Sequence, residues 1–373
     1  MAPTQDVLYR ELDLDLSWSE RDLPERERTK HVHRLHPYLG KFVPQLVEAL
    51  LARHLPRAKN VLDPFAGSGT TLVQSLESGR SATGVDVAAF NCLLMRVKTA
   101  EYNLFTLENE LRDSLRRLEA FDGARPPRPN AFVDAWFAPK AAAELVFYRS
   151  LIGDYEHGDV MRVVLARAAR SARRTTHFDL DFPREPQIGE YWCYKHRKTC
   201  RPVERAEHFI RRYALDTLER IHAFSRVRAR EPEAEAVVLH GDARELELGG
   251  PFDGIVTSPP YPGLIDYHEQ HRYAYELLAL DDRREAELGA AERGVSGRAI
   301  SESVDGIADV FANARTALSA RAPVVIVIND RRELYPEILE RSGLAIETRY
   351  RRHVNRRTGR RAGEFFEDVI VAR

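Results

Sequence analysis

The sequence has almost no net charge: across 373 residues, 56 Lys and Arg stand against 57 Asp and Glu, a formal balance of -1. It therefore lacks the uniform basicity of an indiscriminate polyanion binder. It is also poor in cysteine. Cys92, Cys193 and Cys200 are too few, and odd in number, for a disulfide framework, and such sparseness fits a reducing cytoplasm, the expected compartment. No stretch approaches the roughly 18 apolar residues that span a bilayer, and Met1–Asp22 is rich in Asp and Glu without the apolar core expected of a secretory leader. Lysine is scarce as well, so 49 of the 56 basic residues are arginine. The guanidinium fork suits phosphate, while a G+C-rich genome gives the same bias. No internal repeat or low-complexity tract is present. With 43% hydrophobic and 30% charged residues the chain can bury a core and is not of disordered composition. Its length holds one large α/β domain with insertions, or two domains.

Short apolar runs and amphipathic stretches alternate along two parts of the chain. Residues 36–51 become an apolar-periodic helix after Pro44. Asn60–Asp63 reads as a buried strand, Pro64–Gly69 as a Gly-rich turn, Thr70–Glu77 as a helix, Ser81–Val87 as a second strand and Ala88–Tyr102 as a second helix. The rhythm stops over 105–235, which reads as mostly helical with an irregular centre near 178–202. It resumes with strands at Ala236–Asp242, Gly254–Ser258 and Pro323–Asn329, with helices at Glu269–Leu280 and Tyr335–Arg341 and a polar excursion over 281–303. Residues 345–353 and 367–372 suit a closing antiparallel pair. The expectation is an α/β fold with a mostly parallel sheet, an antiparallel C-terminal edge and a largely helical insertion. The expected parts are an N-terminal extension (1–35), a catalytic domain (36–104 with 236–373) and the insertion (105–235).

Ligands of such sheets bind at the carboxyl ends of the strands, and there the sequence places Asp63, Asp86, Asp242 and Ser258. The turn Asp63-Pro64-Phe65-Ala66-Gly67-Ser68-Gly69-Thr70 lets backbone approach a ligand and opens a helix whose free N–H groups face it. No Gly-Lys-Ser/Thr follows, so it is not a P-loop, nor is it the dinucleotide fingerprint. Asp86, followed by Val87, can accept from ribose hydroxyls. Asp242, followed by Ala243, can accept from the amine of adenine. Together they describe an adenosine-like ligand without a pyrophosphate; each acid alone is equally a helix cap or a solvated strand end.

Ser258-Pro259-Pro260-Tyr261 ends the fourth strand of this rhythm. The prolines end the ladder and stiffen the segment. Tyr261 offers a stacking face beside two acceptors, the Ser258 hydroxyl and the Pro259 carbonyl, which is what an extruded base with an exocyclic amine requires. Hydrogen bonds from both amino hydrogens would pyramidalise the nitrogen and free its lone pair for methylation.

DPFAGSGTT at 63–71 together with TSPPY at 257–261 resembles the S-adenosylmethionine-dependent DNA amino-methyltransferases, the N4-cytosine and N6-adenine enzymes. HPYLGKF at 36–42 resembles the family segment that closes over the cofactor. The resemblance covers roughly half the chain. It implies cofactor contacts at Tyr38, Lys41, Phe42, the 63–70 turn, Asp86, Val87, Asp242 and Ala243, with catalysis at Ser258, Pro259, Pro260 and Tyr261. Ser heading the tetrapeptide is typical of N4-cytosine enzymes, whereas Asp or Asn is typical of N6-adenine enzymes. It further implies DNA as partner and a cognate restriction endonuclease as a companion. An RNA base methyltransferase and a catalytically silent DNA-recognition subunit are the competing readings. The insertion falls between the second and third strands of the rhythm, a place that departs from the family pattern.

Residues 160–230 hold 17 basic against 8 acidic residues, and 349–361 hold seven arginines and no acid. These windows nominate Arg167, Arg170 and Arg174, one face by helical spacing, and Arg356 and Arg357 for nucleic acid. His271 and Arg272, after the tetrapeptide, are nominated for base or phosphate contact. Cys193, His196, Cys200 and His208 are able to bind zinc, but their spacing matches no strong pattern and no metal is assigned.

Overall fold

A computed structural model describes residues 16–18, 22–38, 40, 43–123, 130–177, 183–263, 265–354 and 365–373. Among them the chain forms two compact units: residues 1–99, 226–266 and 283–373, and residues 100–225 with 267–282. The segment Tyr267–Asp282, expected with the sheet, clusters with the second unit.

The first unit carries seven strands in one sheet: β1 (Asn60–Asp63), β2 (Ser81–Asp86), β5 (Ala236–His240), β6 (Gly254–Thr257), β7 (Val324–Ile328), β8 (Ile346–Val354) and β9 (Phe365–Ala372). Their order is β5-β2-β1-β6-β7-β9-β8. The first five are parallel; β9 runs antiparallel to both β7 and β8. This is a Rossmann-like α/β sheet, mostly parallel with the expected antiparallel C-terminal edge.

Successive strand residues enter opposite cores, as a pleat requires. Leu62, Ile255, Val324 and Ile326 join one cluster with Phe311, Ile338 and Ile370. Val61, Val256, Val325 and Val327 join another with Leu46, Leu50, Leu72 and Met95. Both faces are therefore covered, which explains why these strands read as unbroken apolar runs rather than alternating ones. Helix α1 (Pro44–His54) and helix α2 (Thr70–Glu77) contribute to the second cluster, helix α3 (Ala89–Thr99) adds Cys92 and Met95, and a helix at Gly297–Thr316 supplies Val304, Ile307 and Phe311 to the first. That last helix starts inside the stretch expected to be irregular. Ser296 caps it, accepting from the Ala299 N–H at 3.2 Å.

In the second unit Asn103 and Asn130 cap their helices by accepting from Thr106 and Val133. Helix α7 (numbered after α4 Leu104–Glu119, α5 Ala131–Trp136 and α6 Pro139–Leu151) spans Gly158–Ala172 and is buried along most of its length. The expected helix over 269–280 is two short ones, Tyr267–Gln270 and Arg272–Leu278, divided at His271. The irregular centre of the insertion contains a small antiparallel hairpin, β3 (Tyr191–Cys193) with β4 (Lys198–Cys200).

Candidate active site

The chain runs β1, β2, β5 toward one edge, then returns to β6 and β7 on the other side of β1. The topological switch point therefore lies between β1 and β6, where a crevice opens at the carboxyl ends. β1 ends in Asp63 and β6 in Thr257, and the Thr257 hydroxyl donates to Asp63 Oδ1 at 2.7 Å across that point. Asp63 also accepts from the Phe65 N–H at 3.2 Å. Burial pushes its carboxyl up to about 6, against the opposing pull of Thr257, Thr71 and the Phe65 amide.

The turn after β1 needs its glycines. Gly67 and Gly69 have φ of +50° and +78°, a region L side chains avoid. A Cβ on Gly67 would lie 2.9 Å from the Tyr38 hydroxyl, and one on Gly69 2.8 Å from Met95 Cγ. Tyr38 therefore lies against the turn, and it accepts from Asn91 Nδ2 at 3.1 Å. Lys41 and Phe42 lie outside the described residues. Of the turn residues, Asp63, Pro64, Ala66, Ser68 and Thr70 are buried and Phe65 and Gly67 partly so.

Asp86, at the end of β2, accepts from the Gly67 N–H at 2.9 Å, the Ala88 N–H at 2.8 Å and Asn91 Nδ2 at 3.1 Å. Burial lifts its carboxyl to about 7; these donors oppose the shift and Glu287 adds to it. A carboxylate has about four acceptor positions, so Asp86 retains capacity for a ligand. Asp242, two residues beyond β5, is engaged by its neighbour. The Arg244 backbone N–H donates to Oδ1 at 2.9 Å, and its guanidinium grips both carboxylate oxygens, Nη2 at 2.5 Å from Oδ2. Burial would raise Asp242, yet the Arg244 bonds hold it below the usual carboxylate range. Contact with an amine would add to this pair or displace part of it. Ala243 is buried, and its carbonyl accepts from Asn313; Val87 places its carbonyl 3.1 Å from His240 Nε2.

The tetrapeptide leaves the sheet directly after Thr257. Pro259 is buried; Ser258, Pro260 and Tyr261 keep partial exposure. Tyr261 and Phe65 both pack on the core cluster around Phe311. The segment after it is braced: the Gly263 N–H donates to the Gly289 carbonyl at 3.0 Å and the Ala291 N–H to the Ile265 carbonyl at 3.2 Å. A Cβ on Gly263, whose φ is +70°, would strike the Gly294 carbonyl at 2.8 Å.

Several side chains here escaped sequence reading. Asn91 joins Tyr38 to Asp86; its place on the helix after an acid-ended strand is the available signal. Lys98 is almost fully buried and donates to the Ser68 carbonyl at 2.5 Å. Glu287 is buried and bears electrostatically on Asp86. Ser68 Oγ, Asn91 Oδ1 and the Tyr335 hydroxyl are buried with no hydrogen-bond partner among the described residues.

The described residues nominated for nucleic acid differ in exposure. Arg167 is 6% exposed: it donates to Asp216 at 2.5 Å and Thr217 at 2.6 Å and covers the Tyr213 ring at 4.4 Å. It is an interior side chain of the second unit. His271 is likewise buried, bonded to the Tyr267 carbonyl, and burial drives its imidazole pKa down to about 3. Arg170 and Arg174 are partly exposed, and Arg174 donates to the Ala135 carbonyl. Arg272 pairs with Glu269 and Glu276 over Phe132. Arg356 and Arg357 lie outside the described residues. In the described part of that window, Arg349, Arg351 and Arg352 are tied to Glu333, Glu367 and Asp368, so the +7 read from sequence is locally offset.

Three comparisons bear on this site. The family model described as DNA methylase (N6_N4_Mtase) matches residues 7–96. The chain is 36% identical to the Type II methyltransferase M.MjaII of Methanocaldococcus jannaschii, an alignment covering 98% of this chain and 84% of that protein. It is 23% identical to the Type II methyltransferase M.MvaI of Kocuria varians, over 61% of this chain and 53% of the relative. Among solved structures, TrmN from Thermus thermophilus is similar over 90% of this chain and 49% of its own, at 12% identity and a TM-score of 0.37.

Proposed function

The chain belongs to the N6/N4 DNA amino-methyltransferase family and is a Type II DNA methyltransferase; from that premise we propose that it methylates N4 of cytosine in a specific DNA sequence. The observation that carries the reading is the placement of the Asp63–Gly69 turn and the Ser258–Tyr261 loop on neighbouring strands, joined at their roots by the Thr257–Asp63 bond.

Its cofactor is S-adenosylmethionine, and the residues fit it. Two left-handed glycines give the turn its tight course, with no room for a Cβ against Tyr38 and Met95, and the buried Ser68 and Asn91 oxygens beside it have no hydrogen-bond partner among the described residues. Tyr38, Asp63, the 64–70 turn, Asp86, Val87, Asp242 and Ala243 would hold it. When bound, it supplies an electrophilic sulfonium methyl. The Asp86 carboxylate, already anchored by Gly67, Ala88 and Asn91, presents its one remaining acceptor position to a ribose hydroxyl.

At the tetrapeptide, the Ser258 hydroxyl and the Pro259 carbonyl accept the two amino hydrogens of an extruded base while Tyr261 stacks on its ring. This holds the amine nitrogen toward a pyramidal geometry and leaves its lone pair free. Serine at the head of the tetrapeptide supports cytosine as that base. The region 105–235 is the proposed recognition element, with Arg170 and Arg174 as its phosphate-contact candidates and Arg272, Arg356 and Arg357 as candidates outside it; the burial of Arg167 and His271 removes those two. A cognate endonuclease acting on the same cytoplasmic DNA completes the proposal.

The test is incubation with labelled S-adenosylmethionine and separate DNA and RNA, followed by nucleoside analysis. N4-methylcytosine in DNA is the expected product. N6-methyladenine would overturn the base assignment, and label confined to RNA would overturn the substrate. Ser258→Ala and Tyr261→Ala should abolish transfer while cofactor binding persists.

A further inference from the structure

We propose that the second unit holds a structural zinc ion on Cys193, Cys200, His177 and His196. The hairpin register explains how the thiols meet. Cys193 pairs with Lys198 and Tyr191 with Cys200, so the two cysteines are diagonal neighbours on one face of the ribbon, whereas Trp192 and Thr199 occupy the other. The turn between the strands passes through Arg197 at φ +50°, which folds His196 back until its Nδ1 lies 3.5 Å from Cys200 Sγ. His177 arrives from the stretch after α7 and places Nδ1 3.5 Å from Cys193 Sγ. The two imidazoles meet edge to face with centroids 4.6 Å apart, and one donor atom from each of the four residues lies within 4.8 Å of the others.

Those separations suit one ion. With Zn–S near 2.3 Å and Zn–N near 2.0–2.1 Å, a regular tetrahedron has S···N edges of about 3.5 Å and an S···S edge of about 3.8 Å. Both observed S···N distances already sit on that edge, so binding needs only a modest contraction of the remaining ones. Two thiolates and two imidazoles form a closed four-ligand set, typical of a structural site and selective for zinc over oxygen-seeking cations. The Tyr191 hydroxyl accepts from the His177 backbone N–H at 3.1 Å, which keeps His177 at the cluster, and its contact with His177 Nδ1 at 2.8 Å would give way to the ion.

A second observation points the same way. The ribbon has only three residues per strand, and its large apolar side chains face water, Trp192 at 56% and Tyr194 at 78% exposure. A lone two-stranded hairpin of this size is marginal on its own; a metal clip supplies the closure that its core does not. His208, one of the four donors picked out from sequence, packs at a tilt on the Phe209 ring instead, and His177, 16 residues before Cys193, takes the fourth position.

The experiment uses the full chain purified under reducing conditions without chelator. Elemental analysis is expected to give one zinc ion per chain. Exchange with cobalt(II) should give the visible bands of a tetrahedral thiolate–imidazole site, and a thiol-blocking mercurial should release the metal. Cys200→Ser and His177→Ala should lower metal content and expose 183–200 to protease, whereas His208→Ala should leave both unchanged. A metal-free chain after zinc supplementation, an octahedral cobalt spectrum, full retention in Cys200→Ser, or a Cys193–Cys200 disulfide in the freshly isolated protein would each overturn the assignment. The cobalt spectrum of the unaltered chain decides the matter even if a variant fails to fold.

Discussion

Replacing Asp63 by Asn should stabilise the cofactor-free protein at pH 8 while impairing its function. Burial lifts the carboxyl from 3.8 to about 6, roughly two pH units at 1.36 kcal/mol each, so keeping it ionised in the folded chain costs about 3 kcal/mol. The direction follows from where the protons sit. Between pH 4 and 6 the folded chain retains a proton that the unfolded chain has released. Stability is therefore lost as pH rises through that window, and the full cost is present above it. An Asn oxygen can keep the bonds from Thr257 and Phe65. Its new amino group can donate to the oxygen of Thr71, whose hydroxyl donates onward to the Val256 carbonyl. Imperfect satisfaction of that group would return about 1 kcal/mol or more, leaving a gain of about 1–2 kcal/mol at pH 8 and none near pH 4. Cofactor affinity should fall about tenfold or more through loss of a charge-assisted bond. Calorimetric melting of both proteins from pH 4 to 8, with titration of S-adenosylmethionine at pH 8, tests this. A variant that melts below the parent at pH 8, or by a margin independent of pH, would refute the buried-charge reasoning.

Gly67→Ala should weaken cofactor binding at least tenfold, because the left-handed φ costs about 1–2 kcal/mol and the new methyl meets the Tyr38 hydroxyl. Calorimetric titration measures it, and adding Tyr38→Phe should recover part of the loss if that contact is the cause. Arg167→Ala should destabilise the second unit by about 2–3 kcal/mol through loss of its bonds to Asp216 and Thr217, read by urea denaturation. The salt dependence of DNA affinity should not change; a slope lower by about one would mean that Arg167 touches phosphate after all.

The sheet and its site residues were legible because their physics is local. Val324–Ile328 is buried and reads as a continuous apolar run after Pro323, and Asn60–Asp63 is a short segment with a buried centre that Pro64 ends. Thr70–Glu77 and Tyr335–Arg341 were bounded correctly at both ends. The insertion was harder. Arg167, Arg170 and Arg174 share a helical face, and charge suggested that this face was wet. The neighbours Val163, Val164, Ala166 and Ala168 are nevertheless all buried, the mark of a helix enclosed on every side. Such a helix can hold an arginine inside if a partner waits, and Asp216, 49 positions away, is invisible to local spacing. The hairpin escaped because strands of three residues are too short to carry a periodic signal. Asn91 and Lys98 reach the site only through tertiary contact.

The bond between Thr257 and Asp63, with the register that sets Val61 opposite Gly254 and Leu62 opposite Ile255, has a consequence for how such enzymes can be rebuilt. The two functional loops are fastened to adjacent rungs of one ladder, with their roots about 5 Å apart. Their spacing belongs to the backbone and not to the loops. A substitution within the proposed base-holding loop would therefore leave the turn at 63–69 in register.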